Sequence, residues 1–146
     1  MVQLENLVQR LQALQYSEQV TDRLNHLRSV PESSEVRLID IRTILEKFLE
    51  DTARLSIRYG GPRFKGDFSR PVVIREFLQE GCWITEKEFK FISSFYGLMS
   101  SSDGHGGDSM LDPLAARHLC WSVIDTISHR ISIDRSVLEL HEIKTK

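Results

Sequence analysis

The sequence predicts an all-α protein, a single helical bundle of five or six helices that opens with a helical hairpin. Apolar residues recur at alternating three- and four-residue steps along most of the chain. Helix starts and stops are marked by Ser17, Pro71, Thr85-Glu86-Lys87-Glu88 and Asp112-Pro113 on one side, and by Gly60-Gly61-Pro62 and Gly81 on the other. The 146 residues and 40% apolar content suffice for one hydrophobic core without a metal or disulfide framework.

Leu4, Leu7, Leu11 and Leu14, with Val8 beside them, form the stripe of a first helix that packs on its own core or meets a partner. Ser17 is placed to cap a second helix bearing Val20, Leu24 and Leu27, and Pro31 ends it, so residues 1–30 read as a hairpin. From about Ser34, Leu38, Ile41, Leu45, Phe48 and Leu55 define a long central helix. Ile44, Leu49 and Ala53 widen its buried face, Thr52 is a polar intruder, and Gly60-Gly61-Pro62 stops it. Pro71 suits the first turn of a short helix, Val72 to Glu80, with Ile74, Phe77 and Leu78 inward and Gly81 at its end.

The clearest boundary is the capping box Thr85-Glu86-Lys87-Glu88, flanked by the staple pair Ile84 and Phe89. It opens a helix whose Phe89, Ile92, Phe95, Tyr96 and Met99 read as core. Asp112-Pro113 opens another, with Ala116, Cys120, Val123, Ile127 and Ile131 inward. Its other side carries His118, Asp125 and His129 as a solvated face, the two histidines standing roughly 16 Å apart along the axis, too far to share a metal. Residues 132–146 form a tail whose irregularly placed Ile133, Leu138 and Leu140 fit an extended segment, a strand added to a partner or a frayed helix.

The net charge of −2 gives no global attraction to nucleic acid or membrane, so any such binding uses a local patch. Isolated Cys82 and Cys120 lack metal or redox spacing, and no apolar run reaches the roughly 20 residues of a membrane span. A cytoplasmic protein that needs neither metal nor cofactor is the expectation.

Two segments carry the candidate site residues. Arg63, Lys65 and Arg70 alternate with Phe64 and Phe68, a composition that suits phosphate and base contacts, or a solvated loop pinned by its phenylalanines. Further on, Asp103-Gly104-His105-Gly106-Gly107-Asp108 surrounds one imidazole with glycines and two carboxylates. His105 there serves as a proton carrier or as a structural brace, with Asp103 and Asp108 placed to orient its ring or raise its basicity.

The order of a long helix containing Arg37-Leu38-Ile39-Asp40-Ile41-Arg42-Thr43-Ile44-Leu45-Glu46, a short helix, a helix leading into Gly-His-Gly, and a closing helix opening Leu114-Ala115-Ala116 resembles the HEPN superfamily. Within it, the abortive-infection C-terminal domains of prokaryotic defence systems are the nearest likeness, over about residues 34–131. The resemblance implies a homodimer and, in active members, metal-independent RNA cleavage by an arginine and a histidine that meet across the dimer. His105 matches the histidine. Leu98, Met99 and Ser100 occupy the places of the arginine, and Arg117 or an arginine of residues 61–70 would have to supply its charge. The expected function is therefore a dimerising or partner-binding HEPN-like module of a defence or toxin-antitoxin-like system, with a degenerate nuclease site. The alternatives are a ribonuclease using His105, with RNA as partner, and a helical adaptor that captures a protein through its first helix.

Overall fold

The computed structural model describes residues 3–29, 38–56, 64–67, 69–104 and 112–145, and among these all side chains except those of 28, 100–104 and 135–145. The described residues form six helices: α1 (Leu4–Ala13), α2 (Glu18–Ser29), α3 (Leu38–Leu55), α4 (Pro71–Glu80), α5 (Glu86–Gly104) and α6 (Pro113–Thr145). No strand occurs among the described residues. The tail is helical, because α6 continues through residues 132–145.

Central α3 packs against α2, α4, α5 and α6, as its wide apolar face requires. Leu38, Ile41, Ile44, Leu45, Phe48, Leu49, Ala53 and Leu55 are all buried. Thr52 is buried too, and its hydroxyl is used twice. It donates to the Phe48 carbonyl at 2.8 Å and accepts from the Tyr16 hydroxyl at 2.7 Å, while the Tyr16 ring stacks on Phe48 at 5.1 Å. A polar residue on the apolar stripe is thus tolerated because a second buried hydroxyl needs it.

The N-terminal hairpin belongs to the same core as the rest. Leu7, Val8, Leu11 and Leu14 are buried together with Leu24, Phe48 and Ile127, and α1 packs on α2 and α6. Its leucine stripe is consumed internally, which leaves the adaptor reading without that stripe as a contact surface. Ser17 sits at the start of α2, but its hydroxyl donates to Asp51 Oδ2 at 2.5 Å and its amide to the same oxygen at 3.0 Å, so it ties the hairpin to α3 rather than capping α2. Arg10 crosses to α6, donating to Asp125 Oδ1 at 2.8 Å and Ser128 Oγ at 3.1 Å. Asp125, expected on a solvated face, is therefore part of a helix-to-helix tie, whereas His118 and His129 are exposed.

Two helices end in Schellman motifs whose left-handed residue is not glycine. After α1, the Tyr16 amide reaches the Leu11 carbonyl and the Gln15 amide the Gln12 carbonyl, both at 3.0 Å, with Gln15 at φ 67°. After α4, the Trp83 and Cys82 amides reach Leu78 and Gln79, at 2.8 and 3.0 Å, with Cys82 at φ 62°. Gly81 ends α4 at φ −83°. Its lack of a side chain serves close approach instead: a Cβ there would lie 2.9 Å from Trp83 Cδ1. Cys82→Gly is accordingly expected to stabilise the fold by about 0.5–1 kcal/mol, and Gly81→Ala to destabilise it, in urea unfolding.

Candidate functional site

The capping box forms as the sequence predicts. The Glu88 amide donates to Thr85 Oγ1 at 3.1 Å and the Thr85 amide to Glu88 Oε1 at 2.9 Å. Arg130 of α6, which sequence reading assigned no role, then clamps the same carboxylate. It donates from Nη1 to Oε2 at 2.9 Å and from Nη2 to Oε1 at 2.6 Å, and Nη2 also reaches the Trp83 carbonyl at 3.0 Å. Burial alone would raise the Glu88 pKa; the bonds from Arg130 and from the Thr85 amide and hydroxyl outweigh it, leaving the carboxyl below its ordinary value. This clamp ties the start of α5 to α6.

Beside the clamp, the outer face of the α5–α6 pair is apolar and open. Phe91, Leu98 and Leu119 are 41%, 42% and 36% exposed, and Ile133 is 50% exposed. A groove of about 310 Å³ lies between the helices, lined by Phe91, Ile92, Leu119, Ser122, Val123 and Thr126, with Lys87 and Glu88 at its edge. Phe91 and Leu98 stand seven residues apart on α5, and Leu119, Thr126 and Ile133 follow at sevens on α6, so both helices carry a line at coiled-coil spacing.

A second cluster joins α3, α4 and α5. The Tyr96 hydroxyl donates to Glu46 Oε1, and Arg42 Nε lies 3.7 Å from the same carboxylate. The guanidinium carbons of Arg42 and Arg75 lie 5.6 and 5.1 Å from the Tyr96 ring centroid. Burial, then the hydrogen bond to Glu46, pushes the Tyr96 pKa up. Tyr96 thus leaves the core role expected of it, while Ile92, Phe95 and Met99 on the same helix are buried.

Of the predicted site residues, Lys65, Arg70 and Arg117 are among those described. Lys65 and Arg70 are exposed. Phe64 is buried and packs on Phe77 at 5.0 Å, the anchoring half of the expectation for that loop. Arg63, His105 and Asp108 lie outside the described residues, as does Phe68. Arg117 is only 2% exposed, its guanidinium carbon 5.8 Å from the Trp121 ring, so it belongs to the interior rather than to an open surface. At the positions of the missing arginine, Leu98 is exposed and Met99 fully buried.

Cys120 is buried, and desolvation pushes its thiol up to about 12, which leaves it unreactive as a nucleophile at neutral pH. Among the described residues no group of three or more His, Cys, Asp or Glu side chains is arranged to hold a metal ion, and no helix is long and apolar enough to cross a membrane. No family model, no curated protein and no solved structure matches this chain.

Proposed function

We propose that the chain is a non-catalytic, HEPN-like module that dimerises through the outer face of α5 and α6. The observation that carries this reading is the α5–α6 groove lined by the exposed Phe91 and Leu119, with Leu98 and Ile133 also exposed farther along the same two helices. Single exposed apolar residues are ordinary, but aligned ones flanking a groove mark a contact surface. A second copy is the fitting occupant because ridge and groove lie side by side on one surface. A two-fold axis then places the Phe91–Leu98 ridge of each copy in the groove of the other, and two helical pairs become a four-helix seam.

The absence of catalysis follows from the residues at the places of the arginine. Neither Leu98 nor Met99 can stabilise developing charge on a phosphate, and Arg117 is enclosed by the core. The prokaryotic defence setting, and RNA or a further protein as partner of the dimer, rest on the resemblance alone. Wild-type protein and His105→Ala, each about 17 kDa per chain, are expected to sediment alike as dimers and to leave total RNA intact in the presence of a chelator. A wild type that stays monomeric at all concentrations overturns dimerisation. RNA cleavage that His105→Ala abolishes overturns the non-catalytic reading.

A further inference from the structure

We propose that the cleft between α3, α4 and α5 is a binding site for a small oxyanion, a phosphate or carboxylate group received by the buried guanidinium of Arg75. The inference is independent of the dimer. The cleft encloses about 160 Å³ and is lined by Glu46, Lys47, Ser69, Pro71, Arg75 and Tyr96, among others.

Arg75 is only 8% exposed, and its Nε has no hydrogen-bond partner. Among the described residues no carboxylate lies within ion-pair distance of it; its near neighbour is the face of the Tyr96 ring. A guanidinium so enclosed normally holds a carboxylate or phosphate in a fork of two parallel bonds. Without one, its burial is a net cost to the fold, and that cost is visible in the lowering of its pKa by desolvation.

The carboxylates of the cleft are already engaged. Glu46 accepts from Tyr96 and faces Arg42, and Glu50 pairs with Lys47 at 3.3 Å and Arg54 at 2.9 Å. Of the charged residues that line the cleft, Lys47 and Arg75 balance Glu46 and Glu50, so an incoming oxyanion is drawn by the Arg75 guanidinium itself rather than by an excess of positive charge. The N-terminus of α4 adds to this. Its N-cap Arg70 makes no side-chain cap, and Pro71 at the first position lines the cleft, so the positive end of the helix dipole borders the site.

The test is a titration of the full chain, observed through the Arg75 side-chain Nε–Hε signal in nitrogen-15 NMR, with inorganic phosphate, acetate and chloride at matched ionic strength. A saturable shift with phosphate alone assigns a phosphate group as ligand; an equal response to acetate assigns oxyanions generally, carboxylates included. Either supports the site. In Arg75→Met, phosphate affinity measured by calorimetry is expected to fall roughly tenfold or more, with ligand-free thermal stability equal to or above wild type, since an apolar side chain replaces an uncompensated charge. No saturable shift of Arg75 with either oxyanion, a response to chloride as large as to both, or undiminished phosphate binding by Arg75→Met overturns the proposal. The wild-type titration decides the matter even if that variant fails to fold.

Discussion

Glu88→Ala is expected to lower stability by about 2–3 kcal/mol, the largest effect of any single polar substitution on α5. The change removes the reciprocal half of the capping box, about 1 kcal/mol by itself. It also strips Arg130, whose side chain is 31% exposed, of both carboxylate bonds. Partial solvent screening keeps the figure below that of a fully buried pair. Arg130→Lys is expected to cost less, near 1 kcal/mol, because a single ammonium cannot reproduce the two parallel bonds.

The same clamp gives a pH dependence with a definite sign. The Glu88 carboxyl is held below its ordinary value in the folded state. Its contribution is therefore complete above the unfolded value, near pH 4.5, and is lost as pH falls through the lower folded value. Urea unfolding at pH 7 and at pH 3 is expected to show the gap between wild type and Glu88→Gln narrowing at the acid end. A gap that stays constant or widens contradicts the clamp.

The combined substitution Phe91→Glu and Leu119→Glu is expected to weaken self-association by roughly a hundredfold or more, because four like charges meet in a patch that must shed its water. Both positions are more than a third exposed in the single chain, so far-UV circular dichroism and the unfolding midpoint should change little. A variant that still assembles at wild-type concentration removes α5 and α6 as the contact. A variant that unfolds instead shows that these side chains serve the monomer.

Periodicity made the helices legible. The three- and four-residue steps located α1 to α6 and nearly every buried residue of α3, because burial of an apolar stripe is what a helix in a bundle is for. The capping box was readable for the same local reason: donor and acceptor stand three residues apart. What pattern could not reveal are pairings across long separations. Arg130 lies 42 residues from Glu88, Asp51 34 from Ser17 and Thr52 36 from Tyr16. Each partner looked like an ordinary surface or misplaced polar residue until the helices met.

Arg117 shows the same limit from the other side, since one charged residue in an apolar helix face reads as exposed, yet its stem and planar head pack beside Trp121. Gly81 ends α4 as the sequence predicts, but the left-handed conformation falls on Cys82, and the glycine makes room for the Trp83 ring, which no local pattern announces. Of the site residues, His105, Asp108 and Arg63 stand outside the described residues, and the features that carry the proposals, Phe91, Leu119 and Arg75, attracted no functional assignment from the sequence. Exposure of an apolar residue and isolation of a buried cation are tertiary facts.

The claim that two copies meet through α5 and α6 is tested most directly by cross-linking. With exposed Cys82 changed to Ser, Leu119→Cys places one reactive thiol in the groove and Arg23→Cys places one on the exposed side of α2. Under a short bismaleimide at dilute concentration, Leu119→Cys is predicted to convert largely to a covalent dimer while Arg23→Cys stays monomeric. Equal yields from both, or no dimer from Leu119→Cys, would contradict the interface.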